Sequence, residues 1–363
     1  MLYRSAFCAL LLTASGCAHR APESESAQLD QMQFIGTHNS YHIEPDAALR
    51  VLWQDEKTTA APSYQTLMYT HLPLEAQAEL GIRFFELDVH LDETGNASTA
   101  SEFLAPIVAA GLEPDAPFDP DAALSRPGTK VFHTRGDMRS TCLLLTGCLH
   151  ELTDWLDRNP AAGPLIIQIE PKQLLQAEDD RVRSWQVLED DILAAVPASR
   201  IFRPVDLSLE PQDLQDAARA GRWPTTASLA GKFIFILNGS SADTASYADA
   251  LVTKKAGILF PALSDADDPM AAFVSRNDPA SPDIPRLVAA GQMVITYADW
   301  RTLAARKNDT IGRDAAFRSG AQLIATDYPI ADRRLSDYSV RFDEGFVRER
   351  PVERHQETLA EAR

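Results

Sequence analysis

Eight short apolar segments, most of them separated by helical patterns, constrain this chain more than any other feature. They span residues 33–41, 83–90, 129–133, 164–172, 231–238, 257–260, 293–297 and 323–327. Between them, 73–80, 149–159, 184–196, 242–255 and 314–319 read as helices. In 149–159 the apolar side chains at 149, 152, 155 and 156 form one stripe, and Gly81 stops the helix before it. Alternating βα units imply a parallel sheet, and eight of them imply a closed (β/α)8 barrel of the α/β class, the TIM barrel. A single domain with long insertions is expected despite the length of 363 residues. Residues 92–128, rich in proline and acidic side chains without clear periodicity, read as an insertion or long loop.

The second segment, RFFELDVH, carries an unusual inner face. Side chains alternate along a strand, so Phe84, Glu86, Asp88 and His90 share one face while Phe85, Leu87 and Val89 share the other. An exposed edge strand with a polar face is one reading. The other places two carboxylates in one cavity, where they repel, lose hydration and require a cation. Ca²⁺, a hard ion that takes oxygen ligands, is the natural candidate. His38 ends the first strand, His133 the third and Glu170 the fourth, all at the barrel end where such enzymes build their sites. Singly, each has a plain structural explanation. Together they can form one pocket in which two imidazoles act as acid and base. Calcium held by Asn39, Glu86, Asp88 and Glu170 would polarise a phosphoryl oxygen and lower the pKa of a coordinated hydroxyl. An oxygen-rich set without thiolate disfavours zinc. No glycine-rich phosphate loop or nucleophile elbow supplies a competing mechanism.

These residues also carry a resemblance. Gly36-Thr37-His38-Asn39-Ser40-Tyr41, Gly81-x-Arg83-x-x-Glu86-Leu87-Asp88, Val131-Phe132-His133 and Ile169-Glu170 resemble the X-region of phosphoinositide-specific phospholipase C. Thr141-Cys142 to Cys148-Leu149 and the ending Ala325-Thr326-Asp327-Tyr328-Pro329 resemble the secreted bacterial calcium-dependent branch. The resemblance implies the same barrel over about residues 31–335, and attack of an inositol 2-hydroxyl on the adjacent phosphodiester. It implies His38 and His133 as the catalytic pair, with His133 as acid for the diacylglycerol leaving group. Asn39, Glu86, Asp88 and Glu170 are the implied calcium ligands, with Glu86 a candidate base. Strand seven lacks the basic residues by which eukaryotic members grip ring phosphates, so unphosphorylated phosphatidylinositol is the expected substrate. Tyr297 or Trp300 would stack on the inositol ring or pack in the core. Arg135 and Lys172 would contact phosphate or pair with surplus carboxylates. A glycerophosphodiester phosphodiesterase, or a non-catalytic barrel that binds inositol lipids, are the alternatives.

Net charge is −18, which leaves no basic excess to neutralise nucleic-acid phosphates. Residues 1–16 read as a secretory signal, with an apolar run at 6–12. Ala14-Ser15-Gly16-Cys17 resembles a bacterial lipobox, which would acylate Cys17 and make 17–30 a tether to a membrane surface; an ordinary cleaved signal and a secreted soluble product is the alternative. No later apolar run approaches the roughly 20 residues that span a bilayer. Cys142 and Cys148, in a chain expected to be exported, are read as a disulfide. Residues 336–363 are expected to be a charged tail, and the protein a monomer.

Overall fold

The computed structural model describes residues 27–55, 65–95, 99–115, 117–175, 181–254, 256–299 and 302–350. The signal, Cys17 and Trp300 lie outside the described residues. Among the described residues ten strands form one sheet: β1 (Met32–Thr37), β2 (Phe84–His90), β3 (Lys130–Val131), β4 (Leu165–Gln173), β5 (Phe233–Leu237), β6 (Leu259–Leu263), β7 (Phe273–Ser275), β8 (Met293–Tyr297), β9 (Leu323–Thr326) and β10 (Val347–Glu349). Eight of these are parallel and run β1-β2-β4-β5-β6-β7-β8-β9, with β9 returning to β1 to close the barrel. Segments such as Phe233–Leu237, FIFIL, are buried throughout, as strands packed on both faces must be.

The expected number of barrel strands is correct, but one member is exchanged. Segment 129–133 is not a barrel strand. Lys130 and Val131 pair antiparallel with His90 and Val89, forming a two-residue ribbon at the end of β2. The reason is that β2 pairs directly with β4, from Phe84 opposite Ile166 to His90 opposite Gln173, and leaves no place between them. The vacancy in the count is filled by Phe273–Ser275, which pairs with β6 and β8. At three residues it is too short to show a period.

The 92–128 insertion is not a featureless loop. Its helix Ala100–Ala109 belongs to a second apolar cluster in which Ile107 and Leu124 join Leu49 of helix Ala47–Asp55 and Phe132, Met138 and Leu143. Asp46 Oδ2 accepts from Asp115 N at 2.7 Å while Asp115 Oδ2 accepts from Ala47 N at 3.2 Å, so the start of helix Ala47–Asp55 and the 92–128 insertion are tied together. This small core seats itself on Phe132, the residue before His133.

Both expected outer boundaries move. Leu29 is buried, and Gln28 Nε2 donates to Gly221 O and Trp223 O at 2.8 and 2.9 Å, so the fold begins before residue 31. The stretch 336–350 is not a solvated tail. Tyr338, Val340 and Phe342 are buried at alternate positions, and β10 pairs antiparallel with β1. Arg348 stacks over Phe342 at 4.0 Å and donates twice to Gln33 Oε1 at 3.0 and 2.9 Å. Asp337, Arg341, Asp343 and Glu344 around the buried positions concealed a period of two. Among the described residues, no helix is long and apolar enough to cross a membrane.

Candidate active site and metal centre

Glu86 and Asp88 point inward from β2, and the parallel register places Gln168 and Glu170 of β4 beside them. Ligand oxygens of Glu86, Asp88 and Glu170 all lie within 4.8 Å of one another. Glu86 Oε1 accepts from Gln168 Nε2 at 2.8 Å and from the Tyr297 hydroxyl at 3.2 Å. Glu86 Oε2 and both oxygens of Asp88 are buried and receive no hydrogen bond. Orphaned carboxylate oxygens in a barrel interior are costly unless a cation meets them. Lys172, the second residue beyond Glu170, supplies part of that charge. Its Nζ is 2.5 Å from Glu170 Oε1 and stands 3.3 Å from Asp88 Oδ2, an ion pair without hydrogen-bond geometry. Burial above all, with the charge of Glu170 and, for Glu86, of Asp88, raises the pKa values of Glu86 and Asp88 against the opposing charge of Lys172 and His38. The oxygen-only donor set and its unmatched charge fit Ca²⁺.

Asn39, expected as a ligand, sits at positive φ (48°) in the turn after β1. Its Nδ2 donates to the Tyr69 hydroxyl at 2.9 Å and its Oδ1 accepts from Tyr41 at 3.3 Å, which fixes the amide and leaves Oδ1 one lone pair.

Each candidate catalytic imidazole is held through Nδ1 by a buried aspartate. His38 Nδ1 is 2.7 Å from Asp327 Oδ1, and His133 Nδ1 is 3.0 Å from Asp137 Oδ2. Asp137 Oδ2 also holds His42 Nε2 at 2.9 Å, while His42 Nδ1 meets Tyr69 O at 3.0 Å. His71 Nε2 donates to the backbone oxygen of His38 at 2.9 Å. Behind Asp327, Asp299 accepts from the Asp327 N–H at 3.0 Å, from Tyr338 at 3.2 Å and from the Thr326 hydroxyl. With Nδ1 occupied, Nε2 of His38 and of His133 is the nitrogen left for substrate. Both rings lie close enough to Asp88 for their charge to lower its pKa. Burial disfavours the charged form of His38, but Glu86 and Asp327 outweigh it and lift its pKa to about 10. Burial pushes Asp137 up, yet His42 and His133 win and bring it down to about 2.

Residue pairing thus recovers His38, His133, Glu86, Asp88 and Glu170 in one place and adds Asp137, Asp327, His42 and His71, which the sequence reading missed. A usable signal existed for two of them: Asp137 follows His133 by one Gly-containing turn, and Asp327 ends the last barrel strand. Tyr297 is at the centre, its ring edge-on to His38 at 5.4 Å. Lys172 is paired with the carboxylates, one of its two expected roles. Arg135 is exposed on the turn between His133 and Asp137. The cysteines are bridged, with Cα atoms 5.3 Å apart, just where the chain enters helix Leu145–Arg158. There Thr141 N donates to Tyr41 O at 2.8 Å, tying the bridged segment to the turn that carries His42.

A cavity of about 470 Å³ adjoins the cluster at Glu170 and Tyr297. Much of its wall is polar but uncharged, with Asn238, Ser241, Thr244, Ser264 and Asn277. Its Arg276 is engaged within the protein, by Asp283 Oδ2 at 2.9 Å and the carbonyls of Ser264 and Ser275 at 3.1 and 2.9 Å.

Comparison with known proteins bears on the family and the fold. A family model described as phosphoinositide phospholipase C, Ca²⁺-dependent, matches residues 27–351. Among solved structures, the chain is similar to a calcium-dependent phosphoinositol-specific phospholipase C from a Gram-negative Pseudomonas species, in apo form and myoinositol complex, with a TM-score of 0.59, 15% identity, and coverage of 91% of this chain and 97% of that one. It is also similar to a Ca²⁺-dependent phosphatidylinositol-specific phospholipase C from Streptomyces antibioticus, with a TM-score of 0.52, 17% identity and coverage of 83% and 95%. At these identities the likeness shows the fold alone. No curated protein matches the chain.

Proposed function

Because the chain belongs to the Ca²⁺-dependent phosphoinositide phospholipase C family, we propose that it cleaves phosphatidylinositol to diacylglycerol and an inositol phosphate, cyclic or open. The observation that carries this reading is the pair of imidazoles, each anchored through Nδ1 on a buried aspartate, flanking orphaned carboxylates at the barrel mouth. In the reaction, the inositol 2-hydroxyl gives its proton to Glu86 and attacks phosphorus, the bond from phosphorus to the glycerol oxygen breaks, and the cyclic phosphate that results becomes the open one only where water then adds to it. His38, with Glu86 beside it, acts at the attacking hydroxyl and the phosphoryl oxygens. His133 donates its Nε2 proton to the departing glycerol oxygen. Asp327 and Asp137 keep the Nδ1 protons in place, so that Nε2 exchanges protons with substrate. Calcium held by Glu86, Asp88, Glu170 and Asn39 would supply a Lewis acid that polarises phosphoryl oxygen and acidifies a hydroxyl.

The largely uncharged polar wall, the carboxylate of Asp278 in it and the engaged guanidinium of Arg276 favour an unphosphorylated inositol ring over a phosphorylated one. A diacylglycerol-bearing substrate would bring the protein to work at a membrane surface. A bridged cysteine pair supports an exported chain. Anchoring through Cys17 is tested by labelling with radioactive fatty acid, which Cys17→Ser should abolish. The central experiment incubates the purified protein with phosphatidylinositol and with glycerophosphodiesters, with and without a calcium chelator. Inositol phosphate formed only without chelator supports the reading. Glycerol phosphate as the product, or full activity after exhaustive chelation, overturns it.

A further inference from the structure

One cation already sits inside the carboxylate cluster. Gln168, Glu170 and Lys172 alternate along β4 on one face, so the lysine rises beside the glutamate rather than away from it. It reaches Glu170 at 2.5 Å and Asp88 at 3.3 Å. These carboxylates are two of the three that a metal would require. An ammonium and a divalent cation cannot share oxygens at such distances without strong repulsion in a site that water screens poorly. Asp88 is sealed, but the Lys172 side chain is 27% exposed and has a way out toward the mouth.

We propose that Lys172 is a hand-over group. In the metal-free protein it neutralises Glu170 and Asp88; when the metal enters it is displaced, and its ammonium then meets the phosphate of the substrate. The phosphate half rests on the phosphodiesterase reading above, whereas the competition half rests on the lysine's contacts. Two consequences follow from thermodynamic linkage. Metal binding is weaker than three carboxylates alone would give, because a resident cation must leave. Metal and phosphate then strengthen each other's binding, since phosphate offers the displaced ammonium a partner.

The test is calorimetric titration of Ca²⁺ into the wild-type protein and into Lys172→Met, each with and without saturating inositol 1-phosphate. Without the phosphate, Lys172→Met should bind Ca²⁺ at least about tenfold more tightly, equivalent to about 1.4 kcal/mol. Inositol 1-phosphate should tighten Ca²⁺ binding several-fold in the wild type and distinctly less in the variant. Equal or weaker Ca²⁺ binding by the variant overturns the competition. An equal phosphate effect in both proteins overturns the hand-over. Thermal melts confirm that the variant is folded, and Lys172→Gln replaces it otherwise. Absence of any Ca²⁺ binding by the wild type would instead overturn the metal-site reading, and is thereby distinguished.

Discussion

Asp137 offers a perturbation whose size can be worked from its surroundings. One buried oxygen accepts from both His133 and His42, at 3.0 and 2.9 Å, while Oδ1 has no partner. Asp137→Asn keeps the shape and one acceptor but removes the charge, and places an amide donor where nothing can accept it. The ordinary carboxyl value of 3.8 falls to about 2 in the folded protein. At 1.36 kcal/mol per pH unit, that depression is worth about 2 kcal/mol. A depressed folded pKa gives stability that is present above about pH 4 and is lost as pH falls toward 2. Asp137→Asn should therefore be at least about 2 kcal/mol less stable than wild type at pH 7 in urea unfolding, and the gap should shrink by about 2 kcal/mol between about pH 4 and pH 2, leaving the pH-independent cost of the unpaired amide. Activity at pH 7 should fall by about 10²–10⁴, because an imidazole without its carboxylate is a poorly oriented acid. A stability gap unchanged between pH 7 and pH 3 would refute the electrostatic account.

Three other outcomes are expected. His133→Ala should lose about 10²–10⁴ on phosphatidylinositol but recover on a substrate with a nitrophenolate leaving group, which needs little protonation, while His38→Ala stays impaired on both; equal loss on both substrates for His133→Ala rejects the acid assignment. Replacing Cys142 and Cys148 by serine should cost about 2 kcal/mol in thermal or urea unfolding, the chain-entropy value for so short a loop, and an unchanged midpoint counts against the bridge as a stabiliser. Burial holds His71 neutral down to about pH 4 against an ordinary value of 6.5, so its contribution is present above 6.5 and is lost as pH falls toward 4. His71→Gln, which can keep the donor to His38 O, should flatten stability loss over that window; an identical acid limb contradicts the assignment.

What could be seen in the sequence was whatever a single strand states by itself. Carboxylates on the inner face of RFFELDVH are chemically out of place in a core, and the alternation of side chains reveals them without any partner. Residues whose meaning depends on distant chain were hidden: His38 and Asp327 meet across 289 positions. Asp137 was nearer in sequence, but only the turn at Arg135 and Gly136 folds it back on His133. Strand β7 was invisible because three residues show no period. The opposite error, at 129–133, came from treating an apolar run ending in histidine as a barrel strand, when its neighbours in space were already taken by the β2–β4 pairing. In 336–350 the alternating Tyr338, Val340 and Phe342 were legible in principle, and the surrounding charges masked them.

Strand β10 settles against the start of β1, with Arg350 N donating to Gln31 O at 2.7 Å. The two ends of the described chain are therefore fastened together at the foot of the barrel. The reacting groups stand at the other end, about 20 Å away along the six residues of β1. Whatever grips the chain at Gln31 or at Arg350 consequently holds the molecule by its base and points the mouth outward.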